Sequence, residues 1–207
     1  MYEVFIAGRS LLIRSREGAQ VDLQSGHLHY HCSSAEELQL LVDILRNKDQ
    51  ITRLYAYHTD PEGLFQSWKK GYKLIEAAGG LVSNDRGEYL FIFRKGKWDL
   101  PKGKIDKGET KEKAAVREVA EECSVPEPEL GKELMTTYHV YDLKGKSVLK
   151  PTYWFEMHLE GDHKPQPQLE EDITEARWVS VEEIPSLMEN TYPNIRILVE
   201  DSIPLNA

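Results

Sequence analysis

The chain has 207 residues, 40% of them hydrophobic and 29% charged, with a formal net charge of −9. That length holds one sizeable domain or two small ones, and the acidic balance argues against a wide basic surface for duplex nucleic acid, so DNA is not an expected partner. Two cysteines, Cys32 and Cys123, make no disulfide framework, which points to a reducing compartment.

The opening stretch MYEVFIAGRSLLIRSRE carries Glu3, Arg9 and Arg14 among its apolar residues, unlike a signal peptide. No run of 18 apolar residues occurs, so a cytoplasmic protein without membrane association is expected. Residues Tyr2 to about Ile13 alternate loosely around Gly8 and read as a hairpin. A strand is expected from His27 to Cys32. There His27, His29 and His31 share one face, as a polar stripe or as a metal site, with Leu28, Tyr30 and Cys32 turned inward. Ser33 and Ser34, each followed three residues later by Glu, predict a capped helix to about Asn47, with Leu38, Leu41, Val42 and Leu45 at helical spacing. ITRLYAYH reads as a strand, and Asp60-Pro61 starts a second helix running to about Lys70. A basic link, KKGYK, follows.

From Ile75 a second rhythm begins. EAAGGLVSN and EYLFIFRK are expected as strands joined by a turn at Asn84–Gly87. WDLPKGKIDKGE reads as a loop leading into a helix through REVAEE. MTTYHVYDL and LKPTYWFEMHLE pair around Lys144-Gly145, HKPQPQLEEDITE is a polar loop, ARWVSV a strand, and EEIPSLMEN and PNIRILVEDSI closing helical segments. The expected division is 1–72, a small α+β unit, and 73–207, an α/β domain.

On the REVAEE helix, at about 100° per residue, Glu118, Glu121 and Glu122 share one sector opposite Val116, Val119, Ala120 and Cys123. Three like charges on one face suit either a solvated surface or a hard divalent cation, which takes oxygen ligands. Their longer setting, GKIDKGETKEKAAVREVAEECSV, spans Gly103 to Val125. It resembles the Nudix box, G-x5-E-x7-R-E-U-x-E-E-x-G-U with U aliphatic, at every specified position except Ser124 in place of the last Gly. The resemblance covers about residues 75–205. It implies an α/β/α sandwich with a mixed sheet, and a hydrolase that cleaves a phosphoanhydride of a nucleotide-like substrate by water attack on phosphorus.

The same resemblance implies Mg²⁺ or Mn²⁺ on Glu118, Glu121 and Glu122, with Glu118 as ligand or base. It implies Arg117 pairing with Glu109 to hold the glutamates, and Gly103 allowing a sharp turn. Ser124 would then need a positive φ at the helix end. Arg94, Lys95, Lys97, Lys102, Lys104 and Lys107 cluster before the helix; Arg94 and Lys102 are the expected phosphate contacts. The wording LPKGK is similar to dinucleoside polyphosphate and diphosphoinositol polyphosphate hydrolases. Trp98, Tyr138, Tyr153 and Trp154 are core or base-stacking residues, and Glu170, Glu171, Asp172 and Glu175 offer a further acidic group that spacing does not single out. A non-catalytic nucleotide sensor and an RNA 5′-end pyrophosphohydrolase are the alternative readings, and the exposed strand edges of the N-terminal unit are expected to serve a homodimer or to cover the cleft.

Overall fold

The computed structural model describes residues 1–17 and 24–205. In chain order the elements are β1 (Tyr2–Ile6), β2 (Arg9–Arg14), β3 (His27–His31), α1 (Ala35–Asn47), β4 (Arg53–Tyr57), α2 (Pro61–Lys69) and β5 (Lys73–Leu74). Then come β6 (Ala77–Asn84), β7 (Tyr89–Arg94), β8 (Lys97–Asp99), β9 (Lys102–Lys104), α3 (Lys111–Cys123), β10 (Glu129–Leu143) and β11 (Lys146–Leu159). A 3-10 turn at Leu169–Glu171, β12 (Ile173–Val179), α4 (Ile184–Met188) and α5 (Pro193–Ser202) complete the chain. Among the described residues no helix is long and apolar enough to cross a membrane.

Contacts divide the chain into two compact units, residues 1–74 with 138–150, and residues 75–137 with 151–207. A break near residue 73 follows the chain; the units follow contacts, and the tip of the β10–β11 hairpin is grouped with the first of them. In that unit β1 and β2 form the hairpin, with Ala7 and Gly8 at positive φ in its turn. β1 runs parallel to the Tyr138–Val140 part of β10, β2 and β3 run parallel to β4, and β5 pairs with Val148 and Leu149 of β11. The expected basic link therefore contains a short strand. Two helix starts follow from their caps: Ser34 Oγ accepts from Glu37 N–H, and Asp60 Oδ1 from Gly63 N–H. Leu38, Val42, Leu45, Leu54, Phe65 and Trp68 fill the core beneath these helices.

The histidine stripe shares a face as its alternation requires. The His29 ring stacks on Tyr55 with its Nδ1 2.9 Å from Tyr57 OH, and His31 Nε2 lies 2.6 Å from Arg16. Cys32 is buried, but Tyr30 is 41% exposed, contrary to the inward placement expected. The reason is position: β3 ends the strand order β2-β4-β3, so its helix-side residues are only partly covered.

The second unit is an α/β/α sandwich around a mixed sheet. β6 pairs parallel with β11 from Thr152 to Leu159 and antiparallel with β7, which pairs antiparallel with β12. α3 covers one face through Ala114, Ala115, Val119 and Cys123, against Ala78, Val82, Ile92, Phe155 and Met157. α4 and α5 cover the other face, packing Leu187, Ile195 and Leu198 around Leu81, Phe91 and Trp154. Each fully buried aliphatic side chain contributes about 1.5–3 kcal/mol. Trp154 is such a core residue, its Nε1 donating to Thr137 Oγ1 at 2.9 Å. The expected loop WDLPKGKIDKGE is not wholly irregular: β8 pairs with β7 and β9 with β6. Two glycines of β6 make room for these layers. A Cβ on Gly79 would fall 2.3 Å from the Pro101 carbonyl, and one on Gly80 would fall 2.6 Å from Met157 Sδ and 3.2 Å from Val119. β9 and α3 thus approach the centre of the sheet closely.

Candidate active site

α3 begins at Thr110, whose side chain accepts from Lys113 N–H, and ends at Ser124 with φ 50° and ψ 45°. The left-handed end expected from sequence is present without glycine, at a cost of roughly 1 kcal/mol. Ser124→Gly is expected to raise unfolding stability by about 1 kcal/mol or somewhat less, since glycine gives back part of the gain as chain entropy. Chemical denaturation measures it, and an unchanged midpoint would mean that the site bears no strain.

The three glutamates of the helix are not equivalent. Glu121 is about half exposed, Glu118 is half-buried and Glu122 is 2% exposed. The face that carries the three charges, which suited either a solvated surface or a cation, grades into the protein, because β9 and the loop before β12 close over its C-terminal part. Lys102 N–H donates to Glu122 Oε2 at 2.8 Å, and Arg94 Nη1 lies 3.4 Å from Glu122 Oε1. Gln168 N–H donates to the Glu122 backbone carbonyl. Burial pushes the Glu122 carboxyl up to about 7, against the pull of Lys102 and Arg94. Burial also raises Glu118, against the pull of Arg117.

Arg117 is the hub of the outer part. Its Nε and Nη2 donate to the two oxygens of Glu109, each at 2.8 Å. Its Nη1 reaches Glu118 Oε1 at 2.8 Å and Glu121 Oε2 at 2.9 Å, and Nη2 also reaches the Lys104 carbonyl. One planar guanidinium thereby orients three carboxylates, a use to which its fork geometry is suited. Hydrogen bonds from Arg117, then from Asp106 N–H, lower the Glu109 carboxyl from 4.5 to about 2. A depressed carboxyl contributes stability present above the unfolded value and lost as pH falls through the folded one. The difference in Tm between the native chain and Glu109→Gln is therefore expected to be constant above about pH 5 and to close toward pH 2. A pH-independent difference would remove Glu109 from acid stability.

Gly103 lies in β9, opposite Ala78 of β6. Its φ is not in the left-handed region, so the sharp turn expected of it is not what requires glycine. Space is. A Cβ there would sit 1.8 Å from Glu118 Oε2 and 2.5 Å from Oε1. The Glu118 carboxylate rests directly on the bare backbone of β9.

Of the basic residues before α3, Arg94 ends β7 and spans Glu122 and, at 2.9 Å, Glu171 Oε2. Lys102 gives its backbone N–H to Glu122, while its ammonium is bound to buried Asp99 at 2.5 Å. Lys95 pairs with Asp172, Lys97 lies over the Tyr192 ring, and Lys104 and Lys107 are exposed. Asp99 carried no sequence signal. Glu171 was one of four acids alike in spacing, and its pairing with Arg94 separates it from the others. The aromatic residues resolve as packing: Tyr138 on Phe65 in the first unit, and Trp98 between Phe93 and Arg177. Tyr153 donates to Glu76.

The donor set fits a hard divalent cation in kind. It is made of carboxylate oxygens alone, two of the groups are withdrawn from water, and one of them rests in a cradle that a single methyl would fill. Side chains of three such residues are not gathered around one point among the described residues.

The NUDIX domain family matches residues 73–200. The chain is 35% identical over 103 residues to the mutator-type protein MutT4 of Mycobacterium tuberculosis, a match over 50% of this chain and 40% of that protein. It therefore spans less than half the length of that relative. It is 32% identical over 126 residues to an 8-oxo-dGTP diphosphatase-type protein of Bacillus subtilis, over 58% of this chain and 74% of that one. In fold it is similar to the dihydroneopterin triphosphate pyrophosphohydrolase of E. coli, with a TM-score of 0.52 and 20% identity over 66% of this chain and 99% of the other. With the box matched on α3 and the sandwich around it, the chain belongs to the NUDIX domain family.

Proposed function

We propose that the chain hydrolyses a phosphoanhydride bond of a nucleoside polyphosphate by water attack on phosphorus, with the chemistry carried by residues 73–207. The observation that carries this reading is the graded burial of Glu118 and Glu122 beside Arg94. A merely solvated acidic face leaves its carboxylates in water. These two are desolvated and fixed by Arg117 and by Lys102 N–H, and the single charge of Arg117 is shared among Glu109, Glu118 and Glu121. Glu118, Glu121 and Glu122 would hold magnesium or manganese, which when bound neutralises phosphate oxygens and lowers the pKa of water. Arg117 keeps the glutamates in one arrangement, anchored by Glu109. Arg94 offers its guanidinium to a phosphate oxygen in exchange for Glu171, and Asp99 holds the Lys102 ammonium beside the same carboxylates.

The name of the Bacillus subtilis relative points to a nucleotide substrate, and LPKGK leans toward dinucleoside polyphosphates. The test is product analysis on 8-oxo-dGTP, diadenosine tetraphosphate, a diphosphoinositol polyphosphate and a triphosphorylated RNA oligomer, each with Mg²⁺ or Mn²⁺. Cleavage of one phosphoanhydride of a small nucleotide is expected, giving a nucleoside monophosphate and pyrophosphate from 8-oxo-dGTP or two adenine nucleotides from diadenosine tetraphosphate. Saturable binding without product would make the chain a sensor, and preference for the RNA would move the substrate class to RNA ends.

A further inference from the structure

Sheet alternation places Ser83 and His158 on the face that α4 and α5 cover, because Leu81 and Trp154 of the same strands pack with those helices. The register sets His158 of β11 on one side of Ser83 and Tyr89 of β7 on the other. Three polar side chains therefore stand in a row across three neighbouring strands. Ser83 and Tyr89 also line a cavity of about 360 Å³, walled by Lys132–Met135 of β10, Glu156 and the end of α5 at Asp201 and Ser202. That volume suits a small organic ligand.

A chain of hydrogen bonds runs through this row. Ser83 Oγ lies 3.3 Å from His158 Nδ1, and His158 Nε2 lies 3.0 Å from Asp85 Oδ1. Asp85 Oδ2 accepts from Gly161 N–H at 2.8 Å, which fixes the carboxylate in the turn after β6. The bond from Gly161, and then that from His158, hold the Asp85 carboxyl below its ordinary value. An ionised carboxylate only accepts, so Nε2 carries the imidazole proton and Nδ1 turns its lone pair toward Ser83. The Ser83 hydroxyl has a second acceptor, the Met157 carbonyl, also at 3.3 Å, and rotation about one bond moves its proton between the two. Hydroxyl, base and orienting carboxylate thus follow in order, at the loose end of catalytic spacing.

We propose that Ser83 is the nucleophile of a second, acyl-transfer site that hydrolyses small neutral or cationic carboxylic esters. Ser83 Oγ forms a bond to the ester carbonyl carbon while its proton passes to His158 Nδ1. The Tyr89 hydroxyl and the Lys132 ammonium are the donors in the cavity wall for the resulting oxyanion. Collapse breaks the bond from carbon to the alcohol oxygen, which takes the proton from His158 and leaves. Water then attacks the acyl-serine with His158 again as base, releasing the carboxylic acid and restoring Ser83. Asp85 acts through His158, as the positioning residue that sets its tautomer. Leu81, Leu134 and Met135 give the cavity apolar surface for the ester's carbon skeleton. Of its charges, Lys132 pairs with Glu156 and Glu133 with Lys111, which leaves Asp201 in excess. The negative balance disfavours phosphate-bearing substrates. It also sets the site apart from the glutamates of α3, which packs on the opposite face of the sheet.

Labelling of the full chain with a fluorophosphonate, followed by peptide mapping, tests this. An activated serine forms an oxygen–phosphorus bond and expels fluoride, so an adduct on Ser83 is expected, formed about 100-fold more slowly in His158→Ala. The adduct is mapped on the native chain, so this result does not depend on how a variant folds. The chain is also expected to hydrolyse 4-nitrophenyl acetate, with a loss of about 100-fold in Ser83→Ala at unchanged Tm. Glu122→Gln is expected to leave that ester turnover as it was, which keeps the two sites distinguishable. A Ser83 that takes up no label, or ester hydrolysis that survives Ser83→Ala, would overturn the proposal.

Discussion

Replacing Glu122 with Gln is expected to lower turnover by about a thousandfold while leaving Tm unchanged or slightly higher. The two readouts separate because the side chain is isosteric but uncharged. The desolvation that raises the Glu122 carboxyl to about 7 disappears with the charge, and Gln Oε1 still accepts from a neighbouring donor. What is lost is a carboxylate that, on the proposed function, would hold the divalent cation, and removing one electrostatic group of a site costs about 10²–10³ in rate. Glu122→Ala behaves differently. It leaves the Lys102 N–H without its acceptor and Arg94 with Glu171 alone, and is expected to cost about 1–3 kcal/mol. Steady-state kinetics beside thermal unfolding measures both. An active Gln variant would remove Glu122 from the chemistry and leave the burial of α3 purely structural.

Gly103→Ala is expected to lower turnover about a hundredfold with little change in Tm. The added methyl would overlap the Glu118 carboxylate. That group is the far end of a flexible side chain, so the overlap is relieved when Glu118 swings out. Stability changes little because no backbone has to move. Activity falls because a charged group misplaced by about 1 Å costs on the order of 10². Gly79→Ala is the control: its methyl would meet the Pro101 carbonyl and the Lys102 backbone, so it is expected to destabilise by about 1–3 kcal/mol. If Gly103→Ala unfolds the chain as readily as Gly79→Ala, the cradle is a packing feature and not a positioning one.

The main strands and the helix at Lys111–Cys123 were legible in the sequence, β5, β8 and β9 were not, and the left-handed residue at Ser124 was implied by the resemblance to the Nudix box. What was legible depends on periodicity, caps and the fixed spacing of the box, which are properties of neighbouring residues. The pairing of Glu109 with Arg117 was implied by the resemblance to the Nudix box, and the two side chains are hydrogen-bonded in the structure. Contacts between distant residues decided the rest. Glu118, Glu121 and Glu122 are alike on a helical wheel, and only β9 and the loop before β12 make one buried and another exposed. Glu171 stands out from its acidic neighbours because Arg94, 77 residues away in sequence, reaches it. Gly103 reads as a turn residue until α3 brings Glu118 against it. The grouping of residues 138–150 with the N-terminal unit has no local signal, since a hairpin has the same sequence pattern whichever strands lie beside it. Local physics determined which elements form and where the carboxylates sit along them. Burial and charge pairing, which are set by segments far apart in the chain, decided which carboxylates stand at the site.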